Sequence, residues 1–174
     1  MTNIPNFIGI GGQKCASTWL SECLRSHPDI FMSSPKELKY FSSNNDKDFD
    51  WYIKFFSKAS KFKYRGEFSS NYIYHAESAE KIKHKLGDVK VIAVVRDPVE
   101  RSLSHIKHLV RDGKIKQISG EISLTSFKNF LIDDNSILTN SLYQPGLNAY
   151  HKAFGKDSLF IVSQEKCMEN GCLV

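Results

Sequence analysis

A short apolar run, Phe7-Ile8-Gly9-Ile10, stops on Gly11-Gly12, and beyond it Trp19, Leu20, Cys23 and Leu24 recur at helical spacing. Strand, glycine turn and helix in that order point to an α/β domain, in which a buried strand hands the chain to a helix lying on the sheet. His27-Pro28 ends the helix, because the residue before a proline is pushed out of the α region. Ile30-Phe31-Met32 then reads as a second short strand.

The same alternation returns further along. From His75 to Leu86 the positions Ala76, Ala79, Ile82 and Leu86 form a helical face, and Gly87 is a natural stop. Val89 to Val95 is a β-branched run of the kind buried on both sides of a parallel sheet. Pro98 suits a first helical turn, and Leu103, Ile106, Leu109 and Val110 carry that helix to about Asp112. Helical stretches with Phe127, Phe130 and Leu131 and from Tyr143 to Phe154 precede a strand at Leu159–Val162. Asp46 to Lys63 mixes acids, lysines and aromatics, which fits an amphipathic helix or a lid of short helical pieces. The expectation is a three-layer α/β fold, residues 1–174 forming a single domain, with a mostly parallel central sheet and a P-loop-like strand-loop-helix. Ligands of such sheets bind beyond the carboxyl ends of the strands.

Composition removes several classes of function. The chain is long enough to bury a real core, and no segment is repetitive or low in complexity. Its formal net charge of +5 suits anionic ligands, but also ordinary solubility. The densest basic cluster, Arg111 to Lys116, is short and lies beside Gly113 as a solvated helix exit would, so no nucleic-acid partner is expected. Met1 to Pro5 offers neither a basic n-region nor a long apolar run, and the expectation is a cytoplasmic protein without signal peptide or spanning helix. Cys15, Cys23, Cys167 and Cys172 show neither Cys-x-x-Cys spacing nor nearby paired histidines, so neither a metal site nor a disulfide framework is expected.

The loop from Gly9 to Thr18 carries the chemistry. Free backbone N–H groups and the positive end of the helix dipole meet there, which suits an anion. Lys14 adds a charge that reaches a phosphate oxygen, and the Ser17 and Thr18 hydroxyls can donate to others. Glycine turns also join strands to helices for purely steric reasons; the lysine and the Ser-Thr pair favour the anion. A Walker A loop needs Gly-Lys followed at once by Ser or Thr, whereas Lys14 is followed by Cys15-Ala16, so a P-loop kinase is the weaker alternative.

The run from Gly11 to Leu20, with His27-Pro28-Asp29-Ile30 after it, resembles the sulfotransferases that use 3′-phosphoadenosine 5′-phosphosulfate (PAPS), in which a Lys-x-Gly/Ala-Ser/Thr-Thr loop grips the 5′-phosphosulfate. Val91 to Ser104 resembles the family's strand-loop-helix for the 3′-phosphate, which makes Arg96 and Ser104 ligands. An arginine leaving a buried strand does offer a bidentate fork, though it can equally pair with Asp97 or Glu100. The resemblance therefore implies PAPS as co-substrate, held by Lys14, Cys15, Ala16, Ser17, Thr18, Arg96 and Ser104, with Cys15 filling a small loop position.

Pro35-Lys36-Glu37-Leu38-Lys39-Tyr40-Phe41 resembles the Lys-Glu-x-x-x-Phe segment of the heparan sulfate branch, where the glutamate is the proposed general base. That implies two catalytic residues: Glu37 taking the acceptor's proton and Lys14 stabilising the leaving phosphate oxygen. From the residues alone, Glu37 can also be a surface glutamate between two lysines, His75, His105 and His108 remain alternative bases, and Lys36 reads as solvent-facing. Gly66 to Tyr72 is similar to a Glu-Lys-Thr/Ser-Pro-x-Tyr segment lining the acceptor cleft, with Phe68 and Ser70 in place of its lysine and proline. The implied reaction is sulfuryl transfer to a hydroxyl or amine of a small-molecule, glycan or lipid acceptor. The family's later donor-closing basic loop has no counterpart before Val174, so a C-terminally shortened domain is expected, and a catalytically impaired nucleotide-binding domain is the second reading.

Overall fold

The computed structural model describes residues 3–169, so Cys172 and the chain's last residues lie outside the described residues. The first strand, β1 (Phe7–Gly11), passes through the glycine loop into helix α1 (Ser17–Ser26). Helix α1 stops where the His27 N–H reaches back to the Leu24 carbonyl, ahead of Pro28, and β2 (Ile30–Met32) follows. The aromatic stretch forms short pieces: α2 (Phe49–Ile53), capped by the Asp48 side chain on Trp51 N–H, runs into a 3₁₀ turn at Lys54–Phe56.

Next come β3 (Tyr64–Phe68), α3 (Ala76–Leu86), β4 (Lys90–Val95) and α4 (Pro98–Arg111). Gly87 ends α3 with φ 74, and Asp97 caps α4 by accepting from the Val99 and Glu100 N–H groups. A small hairpin of β5 (Gln117–Ile118) and β6 (Glu121–Ile122) precedes α5 (Leu124–Asp133), α6 (Ser136–Thr139) and α7 (Gln144–Phe154). Strand β7 (Leu159–Ser163) and helix α8 (Gln164–Glu169) complete the described chain.

The sheet is parallel throughout, in the order β2-β3-β1-β4-β7. Side chains alternate across it as the pleat requires. Ile8, Ile10, Val91 and Ala93 face one way and pack with Ala79, Ile82, Tyr150 and Phe154 of α3 and α7. Phe7, Phe68 and Val94 face the other way, against Leu20 and Leu24 of α1. Helices on both faces make the three layers, and each fully buried Ile or Phe contributes roughly 1.5–3 kcal/mol. A separate cluster of Leu109, Ile115 and Ile137 joins α4 to α5 and α6.

Several elements depart from the sequence reading, among them the last described helix, α8, which no apolar period announces. Strand β3 was not expected, because Tyr64-Arg65-Gly66-Glu67-Phe68 mixes charges and a glycine, yet Gly66, Glu67 and Phe68 are all buried. The hairpin turns on Ser119 and Gly120, both at positive φ, and buries neither strand, so no apolar alternation announces it. Helix α6 is a single turn, too short for a helical period.

Candidate functional site

Because the strands are parallel, the carboxyl ends of β1, β3 and β4 open on one edge, and the cleft lies there. Gly11 is required by its setting: φ is 133, and a Cβ would lie 2.3 Å from the Ser70 carbonyl oxygen. Lys14 and Ala16 take left-handed backbone, at φ 67 and 63, which turns the chain back onto α1. The first turn of α1 carries no acid, and no side chain caps its N-terminus, so its N–H groups face the cleft uncompensated. Two tyrosines fix the loop from behind. Tyr74 accepts from the Gln13 N–H at 2.8 Å, and the Tyr143 hydroxyl meets Cys15 Sγ at 3.4 Å.

The cleft encloses about 600 Å³ and draws on several parts of the chain, Gln164 at the start of α8 among them. Gln13, Lys14, Ala16, Ser17 and Thr18 come from the loop; Arg96, Ser104 and His108 come from the end of β4 and from α4. Lys36, Glu37, Lys39 and Ser70 form the opposite wall. Lys36 joins the walls, its Nζ lying 2.6 Å from Glu37 Oε1 and donating to Ser17 Oγ at 3.3 Å. Glu37 is itself clamped: its N–H donates to the Phe68 carbonyl at 3.0 Å, and its carboxylate accepts from the Ser70 N–H at 3.1–3.2 Å.

No family model matches the chain. Individual proteins do. A membrane-associated sulfotransferase, kil1 of Dictyostelium discoideum, is 39% identical over 104 residues, which is 58% of this chain and 22% of kil1. The mouse heparan sulfate glucosamine 3-O-sulfotransferase 3B1 is 30% identical over 171 residues, 96% of this chain and 43% of the enzyme. This chain thus spans less than half the length of either relative. Among solved structures, a sulfotransferase of Alicyclobacillus acidocaldarius superposes with a TM-score of 0.81 at 24% identity, covering 96% of this chain and 76% of that one. The chain has the fold of that sulfotransferase and is similar in sequence to these sulfotransferases. A more distant fold match is the mouse sulfotransferase SULT7A1 complexed with PAP, at TM-score 0.57 and 16% identity, covering 97% of this chain and 54% of that one.

In this sulfotransferase fold most of the residues singled out from the sequence come together. Lys14, Ala16, Ser17, Thr18, Glu37, Arg96 and Ser104 line one cleft. Cys15 does not line it. Its side chain is fully buried behind the loop, and burial raises the thiol's pKa, so its part in the loop is structural filling and backbone. Arg96 lines the cleft and pairs with Glu100 at 3.2 Å.

Lys36 is the clearest departure among the site residues. It was expected to face solvent, but its side chain is 19% exposed and wedged between Glu37 and Ser17. Of the three histidines, only His108 reaches the cleft, where Asp112 lies 3.4 Å away. His75 sits beside Glu77 outside it, and His105 is buried against Arg101. Burial first, then the Arg101 charge, depresses His105 to about 4. Lys14 is also lowered, by desolvation and by the nearby Arg111, as befits a cation held in a crowded positive pocket.

Gln13, Lys39 and Gln164 line the cleft without having been singled out. Gln13 and Lys39 adjoin recognised motif residues, and that adjacency was the available signal; nothing local marks Gln164. Among the described residues no group of three or more His, Cys, Asp or Glu is placed to hold a metal ion, and no helix is long and apolar enough to cross a membrane.

Proposed function

We propose that the cleft binds PAPS and transfers its sulfuryl group to a hydroxyl or amine of a glycan acceptor. The observation that carries the reading is the Lys36 bridge: a carboxylate fit to accept a proton is held within one side chain's reach of an anion-binding helix start. The SULT7A1 complex supports the donor, since PAP is PAPS without its sulfuryl group. The heparan sulfate relatives support a glycan acceptor over a small molecule or a lipid.

In this reading Lys14, the Ser17 and Thr18 hydroxyls and the first N–H groups of α1 hold the 5′-phosphosulfate, while Arg96 and Ser104 hold the 3′-phosphate. Arg96 exchanges Glu100 for the phosphate when the donor enters. Glu37 removes the acceptor's proton as its oxygen or nitrogen attacks sulfur. The bond between sulfur and the 5′-phosphate oxygen breaks in line, and Lys14 stabilises the charge left on that oxygen. Lys36, already at the carboxylate, neutralises the sulfonate oxygens in transit. Transfer of labelled sulfate from PAPS to a desulfated heparin-like glycan tests the reading. Label in the glycan supports it; label in none of a broad set of glycan, lipid and phenolic acceptors, with PAP binding intact, favours an impaired nucleotide-binding domain instead. Binding of ATP that requires magnesium would favour a kinase.

A further inference from the structure

Beneath Glu37 lies an acid that this reaction does not use directly. Glu67, at the end of β3, is 0% exposed, and among the described residues no basic group lies within ion-pair distance of it. Three hydroxyls satisfy it instead. Tyr72 donates to Oε1 at 2.8 Å, Tyr52 to the same oxygen at 3.2 Å, and Ser69 to Oε2 at 2.7 Å. Each hydroxyl has one proton, so donating it to Glu67 fixes the direction in which its lone pairs accept.

Two of those acceptors are aimed at the catalytic segment. Ser69 Oγ accepts from the Lys39 N–H at 2.9 Å, and the Tyr72 hydroxyl accepts from the Phe41 N–H at 3.2 Å. The segment they hold is contorted: Glu37 and Lys39 both take left-handed backbone, at φ 64 and 53, a conformation that costs a non-glycine residue about 1–3 kcal/mol and persists only where its surroundings impose it. The Glu37 N–H and carboxylate bind Phe68 O and Ser70 N, on either side of Ser69.

We propose that Glu67 is the positioning residue for Glu37: through the Ser69 and Tyr72 hydroxyls it orders the backbone of residues 37–41 so that the base faces the donor loop. The proposal rests on the reading of Glu37 as base. Burial raises the Glu67 carboxyl to about 7 against the three hydroxyl donors, which favour the ionised form; above that pH both of its oxygens accept, and the comparison with glutamine is made there. Glutamine in its place turns one acceptor oxygen into a donor. A hydroxyl facing that amide can no longer donate to residue 67, and the chain from residue 67 to the 37–41 backbone loses its direction.

The test compares Glu67→Gln, Ser69→Ala and Ser69→Thr with the parent by amide hydrogen exchange at Lys39 and Phe41, by PAP affinity and by transfer kinetics. The proposal expects exchange at Lys39 to quicken about tenfold in Ser69→Ala, the worth of one hydrogen bond, and at both amides in Glu67→Gln. The kcat should fall about 10- to 100-fold, the scale for misplacing a catalytic group, with PAP affinity unchanged and recovery in Ser69→Thr, which restores the hydroxyl. Unchanged exchange in Ser69→Ala, or faster exchange with unchanged kcat, overturns it. Loss of PAP affinity together with kcat also overturns it, since that marks a general structural role. Should Glu67→Gln not fold, the Ser69 pair decides. Should the parent transfer sulfate to nothing, the proposed function fails while exchange still decides whether Glu67 holds the segment.

Discussion

The donor-loop wall of the cleft is made chiefly of backbone, whereas the wall carrying Glu37 is made by side chains buried under it. On the loop wall, left-handed turns at Lys14 and Ala16 and the uncapped start of α1 border the cleft, and the cations beside them are long and partly solvated. On the Glu37 wall the contorted segment depends on Ser69, Tyr72 and Glu67, and through them on Tyr52 of α2. A loop built from neighbours in sequence tolerates changes elsewhere. A segment built from distant partners transmits them. Apart from Tyr74 and Tyr143, which brace it from behind, the loop wall should therefore lose function chiefly when its own residues change, and the opposite wall when any member of its buried network does.

The largest expected effect lies on the Glu37 wall. Glu37→Gln keeps the side chain's shape while abolishing proton acceptance, so kcat should fall by roughly 10²–10⁴ with PAP affinity retained. Joint collapse of rate and affinity would make Glu37 a structural partner of Lys36 and return the search to His108. On the loop wall, Lys14→Ala should lower kcat by roughly 10²–10³, the scale for removing one preorganised stabiliser of developing charge. An unchanged rate would reduce Lys14 to a surface charge and remove the loop wall from the chemistry.

This contrast also explains what was legible in the sequence. The loop's features fall between Gly9 and Thr18, where a change of hydrophobic period and a glycine pair are visible locally, and Arg96 is marked by the end of the β4 run. The Lys36-Glu37 pair was visible by resemblance, but not the reason for its conformation. Glu67 precedes Phe68 in a strand whose alternation it spoils, because an acid at an inward position reads as a surface residue until its three hydroxyl partners are known. Those partners come from residues 52, 69 and 72, and no periodicity connects them. Lys36 misled for the same reason: its ligands, Glu37 and Ser17, lie on different walls.

A smaller effect separates the walls by pH. Folded Glu67 keeps its proton up to about 7, and the unfolded chain releases it near the ordinary value of 4.5. Between these the folded state binds more protons, so this group's contribution to stability is fully present at the acid end and is lost as pH rises through about 7. Urea unfolding at about pH 4.5 and about pH 7.5 should show a larger loss in the parent than in Glu67→Gln, which has no proton to release there. Equal losses would mean that Glu67 titrates normally and that its hydroxyl cage, more than its burial, governs it.

The central claim, that the cleft holds PAPS by both of its phosphate ends, is tested most directly by calorimetric titration of the chain with PAP and with AMP. Arg96 and Ser104 should add charge-assisted hydrogen bonds to the 3′-phosphate, at about 1.5–3 kcal/mol for such a bond, so PAP should bind roughly ten to a hundred times more tightly than AMP. Arg96→Ala should erase most of that preference while leaving the fold intact. Equal affinity for PAP and AMP in the parent would contradict the account.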